Sequence, residues 1–195
     1  MSMTVLADAI GPRQGTARLA KQAVLVVLGI VALAIAAKIK VPMWPVPITM
    51  GTFAVLTIGT AYGARLGMIT MLGYLLVGAL GFDVFAGSSA EKFGLTYMMG
   101  GTGGYLVGYL LANVMLGWLA TRGWDRSFGK MALALVLANV LIYVPGLLWL
   151  GQLYGWDKPI LQWGLTPFLI GDALKLVLAA VLIPGLWKLI GNARG

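Results

Sequence analysis

Residues 166–178 read Thr166-Pro-Phe-Leu-Ile-Gly-Asp-Ala-Leu-Lys-Leu-Val-Leu, which sets an acid, Asp172, and a base, Lys175, in a segment otherwise apolar enough to cross a membrane. At spacing i, i+3 the two share one helix face. A charge near a bilayer centre costs at least about 2.5–3.5 kcal/mol, so ionisable groups there pair and face a cavity or pathway. The plainer reading is an internal ion pair that only fixes helix packing. Desolvation commonly cancels the Coulomb gain of such a pair, which makes stability alone a weak reason to keep one. A carboxylate accepts hydrogen bonds and an ammonium donates them, so together they suit a small polar ligand head carrying both N–H and carbonyl groups.

The rest of the chain has the composition of a membrane protein. Its 195 residues are 60% hydrophobic and 10% charged, whereas a soluble globule carries about a quarter charged residues. The formal charge of +8 comes from Lys and Arg placed singly or in small groups at the ends of apolar runs. That pattern reports topology and lipid contact, not nucleic-acid binding. With no Cys and no His, disulfides, thiol nucleophiles, imidazole bases and the usual zinc, haem or copper ligands are excluded. No metal site, cofactor or catalytic residue is expected, and the chain is not read as an enzyme.

Six membrane helices are expected, at about 20–37, 47–63, 66–81, 101–121, 130–151 and 167–190. Residues 1–18 form a short cytoplasmic lead, and 19–195 a single all-α transmembrane domain. With both termini inside, Arg13, Arg18, Lys21, Arg65, Arg122, Arg126, Lys130, Lys188 and Arg194 are cytoplasmic and Lys38, Lys40, Lys92 and Lys158 external, which satisfies the positive-inside rule. Thr166 then caps the last helix with Pro167 at its first position, and Asp172 and Lys175 fall in the outer half of the membrane. Residues 82–100 are long enough to fold back over a pocket mouth.

Gly100, Gly104, Gly108 and Ala112 recur every four residues, a smooth face for close helix approach. Ala32 and Ala36 form a similar small-residue pair that meets either a neighbouring helix or a separate subunit. Pro42, Pro45 and Pro47 make a stiff connection from which Trp44 projects, either as an interfacial anchor or as the wall of an outward pocket. Tyr105, Tyr143 and Trp149 carry the same ambiguity. Asn113 and Asn139 suit hydrogen bonding between helices.

Four motifs resemble the BioY biotin transporters, the substrate-capture (S) components of energy-coupling factor (ECF) systems: Pro45-Val-Pro-Ile-Thr, Gly78-Ala-Leu-Gly-Phe-Asp-Val-Phe-Ala-Gly, Gly101-Thr-Gly-Gly-Tyr-Leu-Val-Gly and Pro167-Phe-Leu-Ile-Gly-Asp-Ala-Leu-Lys. The resemblance implies a six-helix S-component fold in a bacterial cytoplasmic membrane, with biotin held in an externally open pocket. It also implies partners, a transmembrane coupling subunit and two ATPases, with Ala32 and Ala36 as the surface for helix contact. Asp172 and Lys175 match the family's Asp-x-x-Lys; Asp172 accepts from a ureido N–H while Lys175 orients it and donates to the ureido oxygen. Thr49, Gly87, Thr102 and Tyr105 match positions in the other motifs, and Trp44 and Met50 supply apolar packing.

Two departures stand out. Gly51 replaces the Gln of the common Pro-Ile-Thr-x-Gln-Thr pattern, leaving water or Ser88 to substitute, and Gly101 replaces a Pro. An S component for another vitamin, or a membrane channel or scaffold, are the alternatives.

Overall fold

The structure is a computed structural model that describes residues 4–87 and 93–192. It is almost entirely helical: α1 (Leu6–Ala9), α2 (Gly15–Lys38), α3 (Gly51–Ala79), α4 (Gly94–Met98), α5 (Gly103–Ala120), α6 (Phe128–Tyr154), α7 (Ile160–Gly164) and α8 (Leu169–Asn192). Two short strands, β1 (Lys40–Val41) and β2 (Ile48–Thr49), pair antiparallel across the proline-rich connection. Among the described residues, five stretches are long and apolar enough to cross a membrane: Gly15–Lys38, Gly51–Ala79, Gly103–Ala120, Phe128–Tyr154 and Ile160–Ile190. The chain is an all-α, multi-pass membrane protein.

The second stretch holds the two spans expected at 47–63 and 66–81, joined without a loop: the helix folds back on itself at Gly63, whose φ of 78° only glycine adopts readily. A straight helix would set Gly59 and Gly67 about 12 Å apart, yet a Cβ at Gly67 would lie 3.5 Å from Gly59 Cα, so the two arms run side by side. Both ends of α3 reach the same end of the bundle. At its start Met50 N–H donates to Ile39 O (3.0 Å), and just past its finish Asp83 pairs with Lys38, the last residue of α2. The fold at Gly63 sits at the opposite end, against Val5. At that end too, Arg126 donates to Thr4 O (3.3 Å) and Trp187 Nε1–H to Asp125 Oδ2 (2.6 Å).

α5 is gripped between α6 and the two arms of α3. Its small-residue face supplies the close approach, because a Cβ at Gly104 would meet Pro145 O at 2.2 Å and one at Gly108 would meet Ile142 Cα at 2.6 Å. On its other side Asn113 donates to Val55 O (3.3 Å), the interhelical bond expected of it. Asn139 behaves otherwise and donates to Leu135 O of its own helix (3.1 Å). α2 lies at the periphery, with Val24, Val27, Leu28, Val31 and Ile35 exposed as a lipid-facing surface needs.

Candidate functional site

Asp172 and Lys175 lie in the first two turns of α8, which places them near the end of the bundle where α3 begins. Thr166 does not cap this helix. It lies in a 3-10 turn and its hydroxyl donates back to Leu161 O of α7 (3.2 Å), while α8 starts only at Leu169. Both charged residues are buried, at 6% and 8% exposure, so the pair is withdrawn from lipid and water alike.

Their partners come from three helices. Lys175 Nζ donates to Asp172 Oδ1 (2.8 Å) and to Thr52 Oγ1 (3.0 Å), and the Thr52 hydroxyl donates to Asp172 Oδ1 (3.3 Å). The Tyr143 hydroxyl of α6 donates to Asp172 Oδ2 (2.5 Å). A carboxylate offers about four acceptor positions and an ammonium three donors. With three bonds accepted by Asp172 and two donated by Lys175 among the described residues, each group keeps capacity for a ligand.

These groups form one wall of a cavity enclosing about 690 Å³ of atom-free space, part of it open to solvent. Its other walls are mainly apolar and aromatic: Leu33, Val55, Tyr74, Phe85, Tyr97 and Phe168. Phe85 is fully buried, stacked on Tyr97 (centroids 5.0 Å apart) and edge-on to Tyr74 (5.4 Å). The segment carrying it is tied down by the last residue of α2, Lys38, which donates to Phe85 O (2.8 Å), and by Lys40 of β1, which donates to Ala86 O. From the 82–100 segment expected to fold over the pocket mouth, Phe85, Ala86 and Tyr97 line the cavity. Ser88 falls outside the described residues.

Of the expected site residues, Asp172, Lys175, Tyr143, Tyr105, Thr102 and Thr49 all line this cavity. Tyr105 presents its ring, while its hydroxyl donates to Gly164 O (2.7 Å) and ties α5 to α7. Three expected residues lie elsewhere. Trp44 is 64% exposed and packs edge-on against Trp163 (4.9 Å) and Tyr154 (5.5 Å), outside the cavity. Trp149 donates from Nε1 to Gly100 O (2.8 Å) and packs on Gly103 and Gly104, so its indole braces the start of α5. Gly87 N–H donates to the Tyr97 hydroxyl oxygen (3.3 Å), and the residue lines an outer cleft shared with Trp44. Met50 is also absent from the cavity wall, where Val46 and Pro47 stand instead.

Thr52 and Tyr109 were not anticipated. Thr52 is the final Thr of the Pro-Ile-Thr-x-Gln-Thr pattern, so the signal was present in residues already quoted. Tyr109 approaches the position of the missing Gln: a Cβ on Gly51 would lie 3.7 Å from its hydroxyl and 2.9 Å from Thr49 Oγ1. A phenol and a threonine thus supply polarity where the common pattern places an amide. Outward from this site, Ala32 is exposed on α2 and Ala36 half-buried.

Comparisons with known proteins fit this architecture. A model of the BioY family matches residues 4–192. A probable biotin transporter BioY from Pyrococcus horikoshii is 33% identical over 163 residues, covering 84% of this chain and 94% of the relative. A biotin transporter BioY from Thermotoga maritima is 33% identical over 155 residues, covering 80% and 89%. Among solved structures, the S-component for biotin from an ECF-type ABC transporter superposes with a TM-score of 0.73 over 90% of this chain and 95% of that one, at 21% identity. The fold is that of an ECF S component.

Proposed function

The chain belongs to the BioY family, and from that membership we propose that it captures biotin at the Asp172–Lys175 cavity as the substrate-binding subunit of an ECF-type transporter. The observation that carries this reading is the buried network of Asp172, Lys175, Thr52 and Tyr143 on one wall of an otherwise aromatic and aliphatic cavity. A ureido group offers N–H donors and a carbonyl acceptor. The remaining acceptor position of Asp172 takes a ureido N–H, and the remaining donor of Lys175 takes the ureido oxygen. Charge-assisted bonds in a water-poor site are the stronger kind, so two of them orient a small neutral head. The apolar ring and chain then pack on Phe85, Tyr74, Tyr97 and Phe168.

In this reading, which the positive-inside distribution supports, the cavity end faces outward and both termini are in the cytoplasm. Inward release requires reorientation of the whole bundle by partners, a transmembrane coupling subunit and ATPases. Ala32 on the lipid-facing side of α2, with Ala36 one turn on, offers the small-residue surface for the coupling subunit.

Uptake of labelled biotin by cells that lack their own transporter tests this. Cells expressing the chain with coupling and ATPase subunits should accumulate biotin saturably and without competition from folate, riboflavin or thiamine. Ala32→Trp should lower co-purification of the partners and uptake together while leaving biotin binding intact. Uptake abolished by another vitamin, or no saturable uptake, overturns the reading.

A further inference from the structure

At the end of the bundle opposite the cavity, a second cleft opens between the N-terminal lead, the first turns of α2 and the fold of α3. Three guanidinium side chains line it, Arg13, Arg18 and Arg65, together with the apolar Leu19, Leu66 and Ile69. It encloses about 1330 Å³ of atom-free space, part of it open to solvent. Among the described residues none of these three arginines takes part in an ion pair, the pairs being Lys38–Asp83, Lys158–Asp157 and Lys175–Asp172. One carboxylate, Asp8, also lines the cleft, so three cations face a single acid. Gly15 and Arg18, in the first turn of the 24-residue helix α2, contribute to the wall, and Gln14 before them makes no side-chain capping bond. The free N–H groups of that turn add to the positive potential.

The placement of the cleft selects its ligand. Its cations sit where the membrane-crossing stretch of α2 begins, and its apolar residues continue into an exposed lipid-facing surface, with Leu19 66% and Ile69 44% exposed. Arginine binds phosphate oxygens in a fork geometry and is weakly hydrated, which suits it to an anionic headgroup at the water boundary. We propose that this cleft binds the phosphate of an anionic phospholipid, whose acyl chains run along α2 past Leu19 and Ile69. The site is distinct from the biotin cavity and independent of what that cavity binds. A soluble oxyanion shares the phosphate chemistry but gains nothing from the apolar half of the cleft.

Native mass spectrometry of the full chain, released from mixed micelles of phosphatidylglycerol and phosphatidylcholine with matched acyl chains, tests the proposal. The parent should retain the anionic lipid in preference to the zwitterionic one. Each of Arg13→Gln, Arg18→Gln and Arg65→Gln should lower that preference about fivefold, from roughly 1 kcal/mol per cation near a lipid surface. The triple variant should abolish it without changing the melting temperature, and Asp8→Asn should raise it. Millimolar inorganic phosphate should leave the adduct in place. Equal retention of the two lipids by the parent, an unaltered preference in the triple variant, or displacement by inorganic phosphate overturns the lipid assignment; the last assigns the cleft to a soluble oxyanion.

Discussion

Tyr143 of α6 and Asp172 of α8 are joined by a hydrogen bond of 2.5 Å from the phenol hydroxyl to Oδ2. With Thr52 and Lys175 on the other carboxylate oxygen, Asp172 is held from three helices at once and has little freedom to turn from the cavity. Tyr143→Phe removes this bond and keeps the ring. Biotin binding should weaken about tenfold, in line with roughly 1–1.5 kcal/mol for a hydrogen bond of this kind, and titration calorimetry on the purified variant measures it. A change within twofold would mean that Tyr143 only packs.

Lys175 serves two roles that a pair of variants separates. Lys175→Met leaves the Asp172 carboxylate buried without its counter-charge and should cost about 3–5 kcal/mol of stability. The double variant Asp172→Asn with Lys175→Met removes both charges and should recover most of that loss in a thermal melt, while biotin binding stays lost in both. Recovered binding in the double variant would show that the charges serve packing alone.

How far the site could be read from the sequence follows from what each residue type signals. An acid and a base in an apolar run are conspicuous because hydrocarbon penalises them wherever they point, so Asp172 and Lys175 were legible. Thr52 was marked only by its place in the Pro-Ile-Thr-x-Gln-Thr pattern and not by its chemistry, since a threonine inside a membrane helix commonly satisfies itself on its own backbone, as Thr57 and Thr60 do here, and its partner lies 120 residues away. Aromatic residues near helix ends have several uses. That is why Tyr143 reached the cavity while Trp44 and Trp149 took up bracing positions outside it. In the fold, the break between the spans expected at 47–63 and 66–81 was legible, and it falls at Gly63. That the arms would touch depended on a glycine at both contact positions and on Asn113 packing against them, which is tertiary information.

The folded arms of α3 make a separate prediction. A Cβ at Gly67 would stand 2.4 Å from Asn113 Oδ1, beside the Gly59 backbone, whereas one at Gly185 in α8 meets nothing within 4 Å. Gly67→Ala should destabilise by about 1–3 kcal/mol through overpacking, and Gly185→Ala should be neutral or stabilising by up to about 1 kcal/mol. Melting temperatures of the two variants in one detergent check the contrast, and equal effects would refute the close approach of the arms.

Asp125, in the turn between α5 and α6, accepts the Trp187 indole N–H at Oδ2 while Arg126 covers the indole face at 4.3 Å. Burial pushes the carboxyl above its ordinary 3.8, and the Trp187 bond and Arg126 offset this only in part. A carboxyl whose folded pKa is raised binds its proton more tightly when folded. Its contribution is therefore greatest in acid and is lost as pH climbs from about 4 through the raised value. Asp125→Asn keeps an oxygen for Trp187 and cannot ionise. Its melting temperature relative to the parent should accordingly be higher at pH 7 than at pH 4, and a difference that runs the other way would contradict the assignment.

The central claim, that the buried acid and base read a ureido head, is tested most directly by titration calorimetry of biotin into the purified chain beside Asp172→Asn. The account predicts saturable one-to-one binding by the parent and at least about a tenfold loss in the variant, from a charge-assisted bond worth roughly 1.5–3 kcal/mol. No binding by the parent would contradict the ligand, and unchanged binding by Asp172→Asn would contradict the site.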